Sequence, residues 1–142
     1  MSYTIHVRVI QSDASNWWSI VEKSVWCAAG GGTWSEVNGE QILTMPATDT
    51  SGYLRFMSPV KDDYFVAILG VQDREKWCDL VSLKASDTCM SIAPLYYNNG
   101  PKSEIVGKHL PHHEMHAAKG GLVTVDYYRE DGKTFWATIS IT

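Results

Sequence analysis

Residues 123–141 read VTVDYYREDGKTFWATISI, and this stretch decides the fold class. Apolar residues alternate with polar ones in both of its halves, at 123–128 and at 135–141. A period of two places successive side chains on opposite faces of a β-strand. Between the two halves, Asp131 and Gly132 favour a tight turn. The stretch therefore predicts a β-hairpin with Asp131 and Gly132 at the centre of its turn.

Short strand patterns recur along the rest of the chain. Residues 3–9 alternate in the same way, and three further runs are rich in β-branched or aromatic residues and bounded by Gly, Pro, Asp or Ser. These runs are 41–45, 53–57 and 64–71. No linker, repeat or low-complexity tract divides the sequence. Many short strands with frequent turns predict a single all-β domain over residues 1–142, built as an antiparallel β-sandwich with short helical connections.

Two stretches favour short helices instead. Residues 13–22 offer capping side chains, and residues 74–84 place apolar residues at i, i+3 and i+4 from Trp77. Sharp loops are predicted at 30–32 and 97–101, because glycine and asparagine tolerate positive φ.

Composition and charge exclude several classes of protein. Hydrophobic residues make up 44% of the 142-residue chain and charged residues 20%, which is typical of a globular domain. The formal net charge is -4 and the basic residues are scattered, which argues against a nucleic-acid partner. No apolar run approaches the roughly 20 residues that span a bilayer, and the first residues lack the apolar stretch of a secretory signal. We therefore expect a cytoplasmic protein, whose release from the cell would need a non-classical route.

The three cysteines, Cys27, Cys78 and Cys89, form neither a disulfide framework nor a Cys-x-x-Cys pair. An odd and sparse set of this kind is typical of free thiols in a reducing compartment. We interpret each one as a small buried hydrophobic residue.

Seven short segments resemble the fungal fruit-body lectins. They include Tyr-Thr-Ile-x-Val-Arg-Val-x-Gln from Tyr3, Gly-Gly-Thr-Trp-Ser-Glu from Gly31 and Tyr-Tyr-Asn-Asn-Gly-Pro from Tyr96. The others are Ile-Val-Glu-Lys at 20–23, Leu-Thr-Met at 43–45, Thr-Ser-Gly-x-Leu-Arg-Phe at 50–56 and Trp-Cys-Asp-Leu-Val at 77–81. They occur in the family's order and close to its spacing, so the chain resembles that family over nearly its whole length.

This resemblance implies a β-sandwich related in shape to the actinoporin cytolysins, with no enzymatic activity and no cofactor. It implies glycan partners on glycoproteins or glycolipids: the T-antigen disaccharide (galactose on N-acetylgalactosamine) at a first site and N-acetylglucosamine at a second. It further implies a homo-oligomer, a dimer or tetramer, in the cytoplasm of its producer, with a defence role against animals that eat it.

The family pattern of the second site is largely retained. It uses an Asp, an aliphatic residue and a Thr after the Trp-Cys pair, an Arg after the Tyr-Tyr-Asn-Asn-Gly-Pro loop, and a Tyr further on. The matching positions are Asp79, Leu80, Ser82, Lys102 and His113. A carboxylate here would accept hydrogen bonds from sugar hydroxyls. Lys102 keeps the charge of Arg but not its planar fork, so the geometry loosens.

The first site departs further from the family pattern, which has turns and loops rich in Gly, Asn and Ser. The matching positions are Ala29, Gly30, Thr48, Asp49, Gln72 and Asp73. Asp49 stands where the family has a glycine, and it adds bulk and charge on the side from which a sugar would approach. Asp73 replaces an asparagine, so an acceptor is kept but the amide donors are lost. We expect T-antigen binding here to be weakened, lost or redirected.

Two rival functions lie outside the lectin hypothesis. Imidazoles at i and i+4 can bind a transition metal, and four histidines cluster near Glu114: His109, His112, His113 and His116. Pro111 would disrupt a helix there, so a histidine-rich surface loop is the simpler interpretation. A glycosidase would need two carboxylates facing across a cleft, which a sequence does not reveal.

Two further alternatives follow from the resemblance itself. A pore-forming protein would need an N-terminal segment that detaches and enters the membrane, whereas a strand is predicted from about Tyr3, so we expect no membrane insertion. An interaction protein on a decayed lectin scaffold stays open because of the substitutions at Asp49 and Asp73.

Overall fold

Ten β-strands form two sheets in the computed structural model, which describes residues 2–27 and 31–142. The strands are β1 (Tyr3–Gln11), β2 (Ser19–Cys27), β3 (Thr33–Val37), β4 (Glu40–Met45), β5 (Thr50–Ser58), β6 (Asp63–Gln72), β7 (Glu75–Leu83), β8 (His112–His116), β9 (Leu122–Asp131) and β10 (Thr134–Ile141). Two short helices, α1 (Cys89–Ile92) and α2 (Ser103–Lys108), and 3₁₀ turns at Ala14–Asn16 and Ala93–Tyr96 connect them.

The strands are divided between a larger and a smaller sheet. The larger has the order β3-β4-β1-β10-β9-β8, and the smaller has the order β2-β5-β6-β7. Described neighbours run antiparallel, with the exception of β1 and β10, which are parallel. The predicted β-sandwich is therefore confirmed, and a parallel pair at the middle of the larger sheet is added to it.

Two apolar cores hold three layers together. The first lies between the sheets and contains fully buried residues such as Ile5, Leu69 and Ile139. The second lies between the smaller sheet and the helical segment, and includes Trp77, which is also fully buried. Both faces of the smaller sheet are thus covered, which explains the continuous apolar run in β6. None of the helices in the described ranges is long and apolar enough to cross a bilayer.

The predicted C-terminal hairpin is confirmed, but its turn is shifted by one residue. Asp131 pairs with Thr134, so Gly132 and Lys133 are the central pair of the turn. Gly132 has a φ of +62°, which glycine adopts without strain. Glycine at the first central position suits a two-residue hairpin, and this preference decides the register.

Both helix predictions were wrong in their main part. Residues 75–83 form strand β7, because its alternate residues pack into the two different cores: Cys78 faces the larger sheet and Trp77 faces the helices. Apolar residues on both faces of a strand imitate helical spacing. Within 13–22, only Ala14–Asn16 is helical, as one 3₁₀ turn capped by Asp13, and β2 follows.

The substitution Gly52→Ala tests the packing between the sheets. A Cβ at Gly52 would lie 2.6 Å from the side chains of both Leu43 and Trp34. Trp34 cannot withdraw easily, since its Nε1 donates a hydrogen bond to the Ser24 carbonyl at 2.9 Å. We expect the free energy of unfolding in guanidinium chloride to fall by about 1–3 kcal/mol.

Gly107→Ala is the matched control for this substitution. Gly107 lies in α2, and a Cβ there meets no atom within 4 Å. Alanine should be neutral or stabilising by up to about 1 kcal/mol, because it restricts the unfolded chain. An equal loss of stability in both variants would contradict the packing argument.

Candidate functional site

A buried carboxylate lies where the two sheets meet at one edge of the sandwich. Asp79 is in β7, the edge strand of the smaller sheet, and its exposed fraction is 1%. The Tyr96 hydroxyl donates a hydrogen bond of 2.6 Å to its Oδ2. Burial first, and then the neighbouring carboxylate, raise the pKa of Tyr96 far above its ordinary range. The phenol therefore stays protonated and serves as a permanent donor to Asp79.

Two positively chargeable side chains approach the same carboxylate from different elements. Lys102 precedes α2 and places Nζ 3.6 Å from Asp79 Oδ2. His113, in β8, places Nε2 3.3 Å from Asp79 Oδ1. Both of these side chains are about one-third exposed, whereas the carboxylate between them is buried. The three elements together form a polar site with a buried acceptor at its base and a solvent-accessible rim.

Strand alternation in β8 selects His113 for this site. His113 and Met115 are partly buried, whereas His112, Glu114 and His116 are exposed on the other face. Three of the four histidines thus lie in a strand and not in a loop, and they are divided between its two faces. His109, at the end of α2, lies 3.5 Å from Glu75 instead. In the described part of the chain, no three His, Cys, Asp or Glu side chains are arranged to hold a metal ion.

The same alternation separates two predicted residues from Asp79. Leu80 is 4% exposed and packs in the core between the sheets. Ser82 follows it on that same face of β7 and is exposed. The structure thus brings Asp79, Lys102 and His113 together and leaves the side chains of Leu80 and Ser82 on the opposite face of the strand.

Tyr96 was not predicted as a site residue, although it belongs to a family-like segment. It is 1% exposed and packs against Trp77 and Tyr53, with ring centroids 5.3 Å and 6.5 Å apart. A signal was available, because a buried carboxylate requires donors, and a tyrosine can supply one from inside an apolar layer. Which tyrosine does so depends on the tertiary structure.

The predicted first site is built on a strained hairpin turn. Gln72 pairs with Glu75, so Asp73 and Arg74 form a two-residue turn between β6 and β7. Both have positive φ, +50° and +69°, as a type I′ turn requires. Asp49, in the connection from β4 to β5, also has a positive φ of +65°. This conformation favours glycine, and aspartate is among the few other residues that tolerate it.

Hydrogen bonds join this turn to the neighbouring connection. The Asp73 amide donates to Asp49 Oδ1 at 3.4 Å, and the Arg74 amide donates to Thr48 Oγ1 at 3.0 Å. The structure therefore brings Thr48, Asp49 and Asp73 together. Ala29 and Gly30 lie outside the described residues.

Gln72 and Asp73 face a different feature, a groove of about 310 Å³. Tyr96, Tyr97 and the turn that follows them form its other side. The groove thus connects the two regions, since Gln72 and Asp73 belong to the predicted first site and Tyr96 also donates a hydrogen bond to Asp79. Tyr97 stacks on Trp26 at 5.4 Å between ring centroids, which adds an aromatic surface next to this region.

The thiols of Cys78 and Cys89 are free and buried. Burial raises the pKa of each to about 12. A thiol that stays protonated is a poor nucleophile and a poor metal ligand, so neither residue contributes to the sites. This agrees with the interpretation of these two cysteines as small hydrophobic residues.

The substitution Tyr96→Phe measures how much Asp79 depends on its donor. Removing the hydroxyl leaves a buried carboxylate oxygen without its shortest hydrogen bond. We expect the free energy of unfolding in urea to fall by about 1–3 kcal/mol. Tyr64→Phe is the control, because the Tyr64 hydroxyl also donates to a carboxylate, Asp62, but at the surface. Its cost should be within about 0.5 kcal/mol, and equal costs would refute the special role of Tyr96.

Comparison with known proteins agrees with this architecture along the whole chain. The model of the family "Fungal fruit body lectin" matches residues 1–139. The Boletus edulis lectin is 40% identical over 141 residues, which covers 98% of each chain. A substituted variant of the Xerocomus chrysenteron lectin XCL is 42% identical, with a TM-score of 0.95 over 100% of this chain and 99% of the other.

The wild-type XCL structure gives the same result, with 40% identity and a TM-score of 0.94 over 100% of both chains. Lectins bind carbohydrate without converting it, so the predictions of the family, of the β-sandwich and of a protein without catalytic activity are confirmed. The chain belongs to the fungal fruit-body lectin family and is a carbohydrate-binding protein, not an enzyme.

Proposed function

We propose that this lectin recognises glycans ending in N-acetylglucosamine at a site centred on Asp79. The observation that carries the proposal is a carboxylate 1% exposed, with Tyr96, Lys102 and His113 converging on it from three elements. The sugar assignment rests on the resemblance of these positions to the family's second site. The geometry supports a site that accepts hydrogen bonds at its base and donates them at its rim.

The distances show that Lys102 and His113 do not complete the hydrogen bonding of the Asp79 carboxylate. Tyr96 makes a short hydrogen bond to Asp79. Lys102 at 3.6 Å and His113 at 3.3 Å are longer than the usual range of about 2.7–3.2 Å for such bonds. A hydroxyl placed at the rim can donate to the carboxylate and accept from Lys102 or His113. Such a pair of charge-assisted bonds is directional, which supports selection of one hydroxyl configuration.

At the first site we propose altered recognition of galactose-type glycans, with T-antigen binding weakened or redirected. Asp49 directs its carboxylate towards Thr48 and the backbone of Asp73. It therefore places negative charge in a connection where the family has a glycine. A galactose unit that requires close backbone approach there would meet a bulky acceptor instead.

We further propose that the protein works as a homo-oligomer, a dimer or tetramer, in the cytoplasm and defends its producer against feeding animals. Several weak sites on one assembly gain avidity for a multivalent glycan surface. We also propose that it acts without membrane insertion. Supporting this, β1 pairs on both sides, with β4 and with β10, so detaching it would break two ladders of the larger sheet.

The substitution Asp79→Asn tests the second site. The amide keeps the size of the side chain and an acceptor for Tyr96, but it removes the negative charge that a sugar hydroxyl would meet. We expect affinity for N-acetylglucosamine to fall at least about tenfold, which corresponds to about 1.4 kcal/mol. Isothermal titration calorimetry with the monosaccharide, and a glycan array with a chelator and without one, would measure this.

Asp126→Asn is the matched control, since it makes the same chemical change on the exposed face of β9 beside His112. It should leave the affinity unchanged. If the wild-type protein binds no glycan on the array, the sugar sites have decayed and the chain is an interaction protein on a lectin scaffold. Binding that the chelator abolishes would favour a metal-dependent site at the histidines.

The substitution Asp49→Gly tests the first site independently. Glycine adopts a φ of +65° without strain, so the fold should tolerate the change even though the hydrogen bonds to the Asp49 carboxylate are lost. Removing the carboxylate opens the connection next to Thr48. We expect binding of the T-antigen disaccharide to increase several-fold on the same array, while binding to N-acetylglucosamine stays constant. A variant that folds and gains nothing for galactose-type glycans would refute the role assigned to Asp49.

A further inference from the structure

A second groove opens at another part of the sandwich, away from the residues of both predicted sites. Its volume is about 410 Å³, within the range of small-molecule pockets. It lies between strands β1, β3 and β4 of the larger sheet and strand β2 of the smaller one. Five of the side chains that line it are polar or aromatic: Gln11, Trp17, Lys23, Glu36 and Gln41.

Gln41 lines this groove and carries a buried acceptor without a hydrogen-bond partner among the described residues. The residue is 5% exposed, and the acceptor is its Oε1. Its Nε2 donates to Glu36 Oε1 at 2.8 Å, which identifies the oxygen as the unpartnered end of the amide. An unmade hydrogen bond of a buried carbonyl is costly, so natural cores contain few of them. A ligand that donates a hydrogen bond would satisfy it.

Trp17 supplies an apolar wall on a fixed support. It is 54% exposed, an unusual exposure for the largest apolar side chain. The segment is held against β1, because the Gln11 amide side chain donates to the Trp18 carbonyl and accepts from the Trp18 amide, each at 2.8 Å. The exposed indole is therefore attached to an ordered backbone. Aromatic walls of this kind exclude water and orient a ligand that has an apolar face.

The charges at the groove balance one another. Lys23 and Glu36 form an ion pair with 3.8 Å between Nζ and Oε1. A neutral ligand with several hydroxyls would suit this pair, since it can accept from the ammonium and donate to the carboxylate. A strongly charged ligand would have to compete with the existing partner. The combination of balanced polar groups with an indole favours an uncharged pyranose.

We propose that this groove is a third saccharide site, which takes one neutral pyranose unit. A ring hydroxyl donates to Gln41 Oε1, further hydroxyls engage Lys23 and Glu36, and the C–H face of the sugar packs on Trp17. The site shares no residue with the sites at Asp79 and Asp49. Its test is therefore independent of the function proposed for those residues.

The experiment is a ¹⁹F NMR titration of protein labelled with 5-fluorotryptophan. The signal that disappears in Trp17→Ala identifies Trp17 among the six tryptophans. The probes are glucose, galactose, mannose, fucose, N-acetylglucosamine and N-acetylgalactosamine, each taken to tens of millimolar. We expect at least one sugar to shift the Trp17 signal saturably, and the shift to persist in Asp79→Asn. No shift with any of the six sugars would overturn the proposal.

Gln41→Met supplies the decisive variant, because methionine keeps the length of the side chain and removes its acceptor. We expect at least tenfold weaker binding at the groove with stability close to that of the wild type, because losing the Gln41 hydrogen bond to Glu36 offsets the removal of a buried unpaired oxygen. Tyr128→Ala is a control outside the groove, since it removes an aromatic side chain that is 52% exposed, and it should leave the binding unchanged. Full binding in Gln41→Met, or a shift that disappears in Asp79→Asn, would show that the groove is not the site.

Discussion

The parallel pairing of β1 with β10 is the constraint on which the arrangement of the other elements depends. Its register runs without interruption from Thr4 beside Thr134 to Gln11 beside Ile141. Because this pair occupies the middle of the larger sheet, β3-β4 must extend the sheet on one side and β9-β8 on the other. The side with β9 and β8 brings β8 next to the edge strand β7. The side with β4 and β3 leaves the groove at Gln41 open. Both candidate regions at the sheet edges are consequences of one pairing.

Two buried polar groups illustrate opposite solutions to the same problem. Asp79 is buried on the side of β7 that faces the helical segment, and Tyr96 donates to it with Lys102 and His113 nearby, so its desolvation is offset. The Gln41 oxygen is buried without a partner among the described residues. A lectin binds neutral hydroxyls, and it needs acceptors that are held rigidly before the sugar arrives. Buried or half-buried acceptors meet that need because packing restricts their rotamers.

Strands with a clear local alternation were predicted correctly, whereas features that depend on distant parts of the chain were not. The alternation at 3–9 and 123–141 predicted four of the central features: β1, β9, β10 and their hairpin. One local signal was not used: the Asn-Gly pair at Asn38 and Gly39 is typical of a hairpin turn. In the structure these two residues form a two-residue turn with positive φ at both positions. Strand β7 was mistaken for a helix, because apolar residues on both of its faces reflect two cores that no short window can reveal.

The sequence by itself determined the family, the all-β class and the presence of Asp79, Lys102 and His113, because residue order and strand period are local properties of the chain. Only the tertiary structure decided that these three side chains converge, that Leu80 and Ser82 point the other way, and that Tyr96 holds the carboxylate. Their elements are separated by up to tens of residues, and only non-local pairing of strands brings them within hydrogen-bonding reach. The groove at Gln41 was also decided only by the tertiary structure, because its walls come from both sheets.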